Sequence, residues 1–314
     1  MTILLGVEAP PPLEVPESVP DLPGRDRSGL VHDWTGWDGS FWELSRRRSG
    51  VRLKQGVKGL DDPPHERFAD TGIGAGARTR GTRTLERQPF WPLGIYCGGD
   101  SQAWYDYAAA FLRSVDPDRE GIWGVTQPNG TRRTLNCRLL DPGDAGHATD
   151  PGQLGWGRYD LTLVADQPFW QGEEIVLSFE ADPGRPFLGG PGVIGISSGN
   201  TLARAKVTNP GDVPAWPVYR ISGEPTKVSV GLGGRQVEVP FALTDGLGLT
   251  INTGPGPRGK SAYDTNGVRR TADLSRREFA PVPPGESVPL SLSMEGNGRV
   301  EVSLVPLYRR AFGA

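Results

Sequence analysis

The sequence predicts a mainly β protein with one long helix, and three observations support this fold class. The 314-residue chain contains 45 glycines and 30 prolines, and only 36% of its residues are hydrophobic. Short alternating segments separated by turn-forming residues fill most of it, as in β-sandwiches and β-barrels. A single segment, Ser101–Val115, carries its apolar residues at helical spacing. Nine tryptophans and ten phenylalanines indicate packed cores, and the length suits two domains.

The first predicted element after residue 30 is an aromatic hairpin. Asp38-Gly39 is a strong hairpin turn, and it lies between two segments that carry Trp34, Trp37, Phe41 and Trp42. Strands are expected around Val51 and at the end of the segment 83–97. The Gly-rich stretch between them, residues 73–82, is expected to form a flexible loop.

The helix is predicted over residues 101–115. One face carries its apolar residues, namely Trp104, Tyr107, Ala108, Phe111, Leu112 and Val115. Asp100 or Ser101 can cap its start, and Pro117 disfavours a helical residue before it. A second hairpin follows around Pro128-Asn129-Gly130, and a strand ending at Pro168 closes the first half.

The second half is expected to be almost purely β. Eight short segments with β character follow residue 172 and are separated by turn residues. Their spacing predicts a two-sheet sandwich.

The chain lacks the local motifs typical of catalytic and metal sites, and residues that only folding brings together stay open. The three histidines, His32, His65 and His147, are widely separated, and no Gly-x-Ser-x-Gly motif is present. Helix capping accounts for Asp100-Ser101 better than a nucleophilic serine does. The stretch 72–77 has no dinucleotide-binding spacing. No catalytic residue, metal or cofactor is therefore expected, and pairing of Cys97 with Cys137 stays open.

Charge and hydropathy limit the classes of partner. The formal net charge is −3, so no basic excess points to nucleic acid or anionic membrane. No stretch approaches the roughly 20 apolar residues of a membrane helix, and the N-terminus lacks the features of a signal peptide. We expect a soluble protein made in the cytoplasm, without membrane insertion.

One possible binding platform is present in the second half. Trp216, between two prolines and near Tyr219, could stack on a sugar through its apolar face. The alternative is that the prolines hold Trp216 at the edge of the core as scaffold.

Several motifs, taken in order, resemble the distal tail proteins of long-tailed, non-contractile bacteriophages, often labelled minor tail proteins. They are "DWTGWDGSFWEL" with "GVKGL", the helix "SQAWYDYAAAFLRSVDP" with the hairpin after it, "YDLTLVADQPFW", and "VTNPGDVPAWPVYRISG". The closing stretch "VPPGESVPLSLSMEGNGRVEVSLVPLY" is also similar. The resemblance covers about residues 31–308. It excludes the Pro-rich arm and the loop 253–272, whose roles stay open.

The resemblance implies a structural role in the virion at the distal end of the tail. Composition alone predicts that residues 1–30 form a Pro-rich arm, either a disordered tail or an extended segment on another subunit. Residues 31–168 would form a β-barrel-like ring domain with one helix, and residues 169–314 a galectin-like β-sandwich. Six copies would form a ring that joins the tail tube protein to tail tip or baseplate hub proteins. The tape measure protein is a further possible partner of this ring. DNA would pass through without specific binding.

Within such a ring, we expect some side chains of the aromatic hairpin to contact the next subunit. The candidates are Trp34, Trp37, Phe41 and Trp42. The core of a small barrel does not need four large aromatic side chains from one hairpin. Two other functions remain as alternatives. One is a carbohydrate-binding tail-tip protein that uses Trp216 and Tyr219. The other, less favoured, is a β-sandwich enzyme that degrades cell-wall polysaccharide.

Overall fold

The fold was analysed in a computed structural model of the full chain. It describes residues 29–46, 50–71, 76–98, 100–143, 146–147, 149–186, 194–196, 205–244, 246–256 and 259–313. The predicted Pro-rich arm and the glycines of the stretch 72–75 lie outside these residues. The fold is mainly β, as predicted from the composition.

Strands alternate with turns through most of the described chain. In chain order the strands are β1 (Val31–Thr35), β2 (Phe41–Glu43), β3 (Val51–Leu53), β4 (His65–Thr71), β5 (Ala77–Thr84), β6 (Phe90–Tyr96), β7 (Gly121–Thr126), β8 (Arg132–Asp141), β9 (Trp156–Val164), β10 (Trp170–Gln171), β11 (Ile175–Pro186), β12 (Ile194–Ile196), β13 (Lys206–Thr208), β14 (Val218–Leu232), β15 (Arg235–Val239), β16 (Leu249–Asn252), β17 (Ser261–Asp264), β18 (Arg276–Arg277), β19 (Ser287–Leu304) and β20 (Leu307–Tyr308). The α-helices are α1 (Ser101–Ser114) and α2 (Pro151–Leu154), and Thr271–Asp273 forms a 3-10 helix.

The first large sheet curves into a nearly closed barrel. Its strands run in the order β2-β1-β7-β8-β9-β6-β3, and all its neighbouring strands are antiparallel. The two end strands meet where the Leu53 amide donates to the Leu44 carbonyl at 2.9 Å. Both predicted hairpins are confirmed, with Gly39 and Gly130 at the positive φ angles that their turns require. We refer to this sheet, with α1, as the barrel.

Tryptophans fill the barrel. Trp34, Trp91, Trp123 and Trp170 have no exposed surface. Their ring centroids follow one another at 5.3, 5.2 and 4.9 Å. The predicted helix is confirmed, because the Asp100 carboxylate accepts from the third residue of α1 and the apolar face of α1 packs into this core.

The second large sheet is folded over on itself by two long strands. Its order is β12-β11-β19-β14-β15-β18, with β13 on β19 and with β16 and β17 beside β14. Four of the eight predicted short strands are therefore parts of two long ones, β14 and β19. Both bend at glycines: Gly223 has φ +91°, and a Cβ there would lie 2.6 Å from the Gly298 Cα. We refer to this sheet as the sandwich, and its core is mostly aliphatic.

After β19 the chain returns to the barrel. β20 pairs with β10, which in turn pairs with β8. Ala311 is fully buried within the barrel core. The residues after Leu304 therefore pack with the barrel. The predicted boundary near residue 168 stays a prediction, and it would assign these residues to the sandwich.

One prediction for the first half is wrong. Residues 77–82 are not a loop but belong to β5, which pairs with β4 in a separate two-stranded sheet. Alternating threonines favour the extended backbone, and Arg80 donates to Asp70 across the hairpin at 2.5 Å. The loop 253–272, left open by sequence, contains β17.

Candidate functional site

The aromatic hairpin turns only part of its aromatic surface outward. Trp34 points into the barrel with no exposed surface, and its indole N–H donates to Ser114 Oγ at 3.1 Å. Trp42 also points inward and packs edge-on against Tyr107 and Phe111. Trp34 thus has no surface to offer a second subunit, which corrects the prediction for that residue. Strand alternation places both rings in the inward row.

The outward row of the hairpin carries Phe41, which is 61% exposed. The register places Phe41 beside Thr35 and Thr35 beside Ile122, which is 40% exposed. Trp37 is half-buried in the turn: its indole donates to the Arg113 carbonyl, and the Arg119 guanidinium lies 3.2 Å above its ring. A subunit contact at Phe41 and Trp37 stays a prediction.

The proposed glycan platform is largely scaffold. Tyr219 is 2% exposed on β14, and burial raises its pKa. It cannot stack on a ligand, which corrects the prediction for this residue. Trp216 is half-buried, and the Lys260 ammonium lies 5.8 Å from its ring centroid. Ala215, beside Trp216, forms a β-bridge to Val282, so this stretch is tied into the sandwich.

A second aromatic surface was not found by sequence. Trp156 at the start of β9 is 46% exposed and stacks on Tyr96 of β6, with 6.3 Å between ring centroids. Arg52 and Lys54 each lie 4.6 Å from the Tyr96 centroid, and the Lys54 ammonium donates to the phenol oxygen. That bond lowers the Tyr96 pKa. These residues are far apart in sequence, and only the register of β3, β6 and β9 brings them together.

Arg87 ties the barrel to the end of the chain. Its guanidinium is buried and donates to the carbonyls of Pro168 at 2.7 Å, Gly59 at 2.6 Å and Arg309 at 2.6 Å, as well as to that of Asp61. Burial lowers its pKa to about 10. One side chain therefore joins the loop after β3, the segment that leads to the sandwich, and the C-terminal segment.

Arg133 of β8 holds the same C-terminal segment further along. It donates to the carbonyls of Arg310, Phe312 and Gly313 at 2.9, 3.0 and 2.7 Å, and its guanidinium lies 3.6 Å from the Tyr308 ring. We call residues 305–313 the C-terminal strap. The strap also reaches the sandwich, where the Arg309 amide donates to the Asp212 carboxylate.

Two of the three carboxylates that line an open cavity beside the barrel are paired with cations. This cavity, of about 820 Å³, is lined by Asp62, Glu86 and Asp166 among others. Asp62 pairs with Arg310 at 2.6 Å and Asp166 with Arg138 at 2.8 Å. The third carboxylate, Glu86, accepts a hydrogen bond from the Gln88 side chain at 3.0 Å.

Other kinds of site receive no support in the described residues. Cys97 and Cys137 are both free thiols, and burial raises the pKa of Cys137. Within the described ranges, no cluster of three or more histidine, cysteine or acidic side chains could hold a metal ion. Among the described helices, none has the length and apolar character needed to span a bilayer.

The fold resembles proteins from phage tails. The Dit (gp 19.1) protein of phage SPP1, described as a paradigm of the hub adsorption apparatus in phages that infect Gram-positive bacteria, aligns with a TM-score of 0.54 and 12% identity. The alignment covers 89% of this chain and 99% of that one. Chains from the phage P2 baseplate in its activated conformation, with Ca and with Sr, align with a TM-score of 0.52 each.

These two baseplate alignments cover 88% of this chain and 98% of the other, at 11% and 13% identity. No protein-family model matches the sequence, and no curated protein matches it. At identities of 11–13%, this structural likeness shows a shared fold and nothing beyond the fold.

Proposed function

We propose that this chain is a structural hub protein at the end of a bacteriophage tail. The observation that carries the proposal is the shared fold, which extends through barrel and sandwich over 89% of the chain and nearly all of SPP1 Dit. The motifs that resemble those of distal tail proteins also follow one another along this chain in the order typical of that family. Fold alone does not fix function, so the proposal also depends on the surfaces.

In this proposal six copies form a ring around a channel through which DNA passes. The barrel of residues 31–168 is the ring domain, completed by the C-terminal strap, and the sandwich lies at the periphery. The ring joins the tail tube protein to tail tip or baseplate proteins, with the tape measure protein as a further contact. The tail tube and the tail tip must stay aligned with each other. A strap that ties the sandwich to the barrel suits this role because it fixes the two parts of each subunit together.

No catalytic activity is part of this function. Asp62 and Asp166 in the cavity beside the barrel are paired with arginines, and the buried Tyr219 removes half of the predicted glycan platform. The alternative of a carbohydrate-binding tail-tip protein now depends on Trp216 alone, since this ring is partly exposed.

Co-assembly tests the proposal. The purified protein should bind the end of polymerised tail tube protein and remain bound in a pull-down, and labelled antibody should mark the distal end of virions. A glycan array in which wild-type protein binds and Trp216→Ala does not, without binding to tube protein, would favour the carbohydrate-binding alternative.

A further inference from the structure

The surface of the sandwich contains a cavity whose wall is mostly cationic. The cavity has a volume of about 640 Å³ and is lined by Arg235, Lys260, Arg277, Glu278 and Phe279. We propose that this cationic cavity binds a saccharide that carries phosphate or carboxylate groups. The inference goes beyond the hub function, which stands without it.

The cations of the cavity have no carboxylate of their own. Within the described part of the chain, Arg235, Lys260 and Arg277 form no ion pair. The one carboxylate in the wall, that of Glu278, pairs instead with Arg276 at 2.8 Å. The whole chain has a net charge of −3, so this site is a local exception. A cavity lined by uncompensated charge of one sign attracts ligands of the opposite sign.

Arg277 is positioned by the backbone around it. Its Nε donates to the Leu274 carbonyl at 3.2 Å, and its Nη2 donates to the Ala272 carbonyl at 3.4 Å. These carbonyls hold the guanidinium without neutralising it, and its remaining N–H groups can donate to an anion. Arginine suits phosphate and carboxylate groups because its planar donors match their oxygens. An arginine that is already ordered also loses less conformational entropy on binding.

Lys260 has a backbone conformation that lysine rarely adopts. Its φ is +50°, and among the described residues it is the only non-glycine residue with a positive φ. Its amide donates to the Gly254 carbonyl at 3.0 Å, which closes the loop in this conformation. Glycine would fit this position at a lower cost in free energy, so the presence of lysine points to a role for its side chain.

Aromatic rings lie beside the cations. Phe279 is half-buried in the cavity wall, and the Lys260 ammonium lies 5.8 Å from the centroid of the Trp216 ring, which is also half-buried. Partly exposed rings offer an apolar face on which a sugar can stack. Cations beside them bind the anionic substituents of that sugar. This combination favours an anionic saccharide over a simple inorganic anion.

An acidic protein partner fits the cavity less well than a saccharide does. Protein interfaces depend on large side chains that anchor the partner. Among the described residues of the sandwich, the exposed large hydrophobic side chains are those of Val176 and Val268, and neither lines the cavity. The volume of the cavity lies in the range of small-molecule sites.

Binding of defined polymers to the full-length protein tests the inference. Phosphorylated dextran and polygalacturonate present the two anionic groups on a saccharide, unmodified dextran is the neutral saccharide, and poly-L-glutamate is an anionic chain without sugars. Biolayer interferometry at about 150 mM salt measures the affinity for each polymer. At least one anionic saccharide should bind roughly tenfold or more tightly than dextran and poly-L-glutamate. The tighter of the two identifies the preferred anionic group.

Substitutions test whether the cavity is the binding site. Arg235→Gln with Lys260→Gly should weaken binding roughly tenfold or more. The control, Lys206→Gln with Lys227→Gln, removes the same charge from exposed positions of the sandwich and should bind as wild type does. Lys260→Gly alone should weaken binding without lowering the midpoint temperature of unfolding, because glycine tolerates the positive φ.

Three results would overturn the inference. They are a wild-type protein that binds neither anionic saccharide, equally tight binding of poly-L-glutamate, and unchanged binding by the double cavity variant. Binding to tail tube protein is measured on the same preparations, so the hub function is judged separately from the saccharide site.

Discussion

The barrel and the sandwich have hydrophobic cores of different composition. Eight of the nine tryptophans lie before residue 171, and four of them fill the barrel with no exposed surface. The sandwich core consists mostly of valine, leucine and isoleucine, spread over β14, β19 and the strands and loops around them. A few large rings concentrate the buried area in a few positions, whereas many small side chains distribute it. The barrel should therefore depend more on single residues than the sandwich does.

The sharpest test of this contrast is one truncation in each core. Trp123→Ala removes a ring in contact with three others, and should lower the free energy of unfolding by about 4 kcal/mol. Val230→Ala, equally buried in the sandwich, should cost about 2 kcal/mol. Urea unfolding followed by far-UV circular dichroism measures both. Equal losses would contradict the contrast.

The junction should be the next most sensitive region. Arg87→Met leaves the carbonyls of Gly59, Pro168 and Arg309 without their donor, and should cost about 3 kcal/mol because each was desolvated on folding. Hydrogen exchange of the C-terminal strap should rise as well. The exposed Arg83→Met serves as control and should change stability by less than about 0.5 kcal/mol. Similar losses in both variants would show that the strap is not held by Arg87.

Within the sandwich, the glycine bend should be the weak point. Gly223→Ala places a Cβ against Gly298 at a φ of +91°, which should cost about 2 kcal/mol. Gly81→Ala in β5, where a Cβ meets nothing within 4 Å, should be tolerated. The midpoint temperatures of thermal unfolding of the two variants, each compared with wild type, measure this difference. A tolerated Gly223→Ala would mean that β14 does not need this bend.

The smallest expected effect is a pH dependence within the barrel. Burial beside Trp123 lowers the pKa of His32 to about 4, from 6.5 in the unfolded chain. As the pH falls below 6.5, the unfolded state binds a proton that the folded state refuses until about pH 4, so stability decreases across that window. Discounted for partial exposure, the loss is about 1 kcal/mol at pH 5.

His32→Phe keeps the stacked ring and cannot titrate, so its stability relative to wild type should rise between pH 7 and pH 5. The exposed His65→Phe provides the comparison and should show no such rise. A His32→Phe difference that does not vary with pH would contradict the account.

Local signals in the sequence predicted local structure well. The apolar face and cap of α1, and the turns at Gly39 and Gly130, depend on residues within a few positions of each other, and the structure has them as expected. The sequence predicts four short strands where the structure has two long ones, β14 and β19. The reason is that glycine and proline occur both in turns between strands and at irregularities within a strand. β14 stays paired with β19 on both sides of Gly223, with a register shift between Pro225 and Lys227, and only the partner strand decides this.

Features that depend on distant pairing could not be predicted. Arg52, Lys54, Tyr96 and Trp156 come together only through the pairing of β3, β6 and β9, and Arg87 reaches a carbonyl 222 positions away. Trp34 and Phe41 look alike in sequence, yet they lie in opposite side-chain rows of the paired strands β1 and β2, so one is buried and the other is exposed. Exposure on a particular face follows from the assembled barrel and not from the aromatic content of a hairpin.

Electron microscopy of the purified wild-type protein tests the central claim, that the chain is a ring-forming tail hub, most directly. The account predicts closed rings of six copies with a central channel in class averages, at concentrations where native mass spectrometry finds the matching mass. Particles that stay monomeric at every concentration, and that do not join the end of tail tubes, would contradict it.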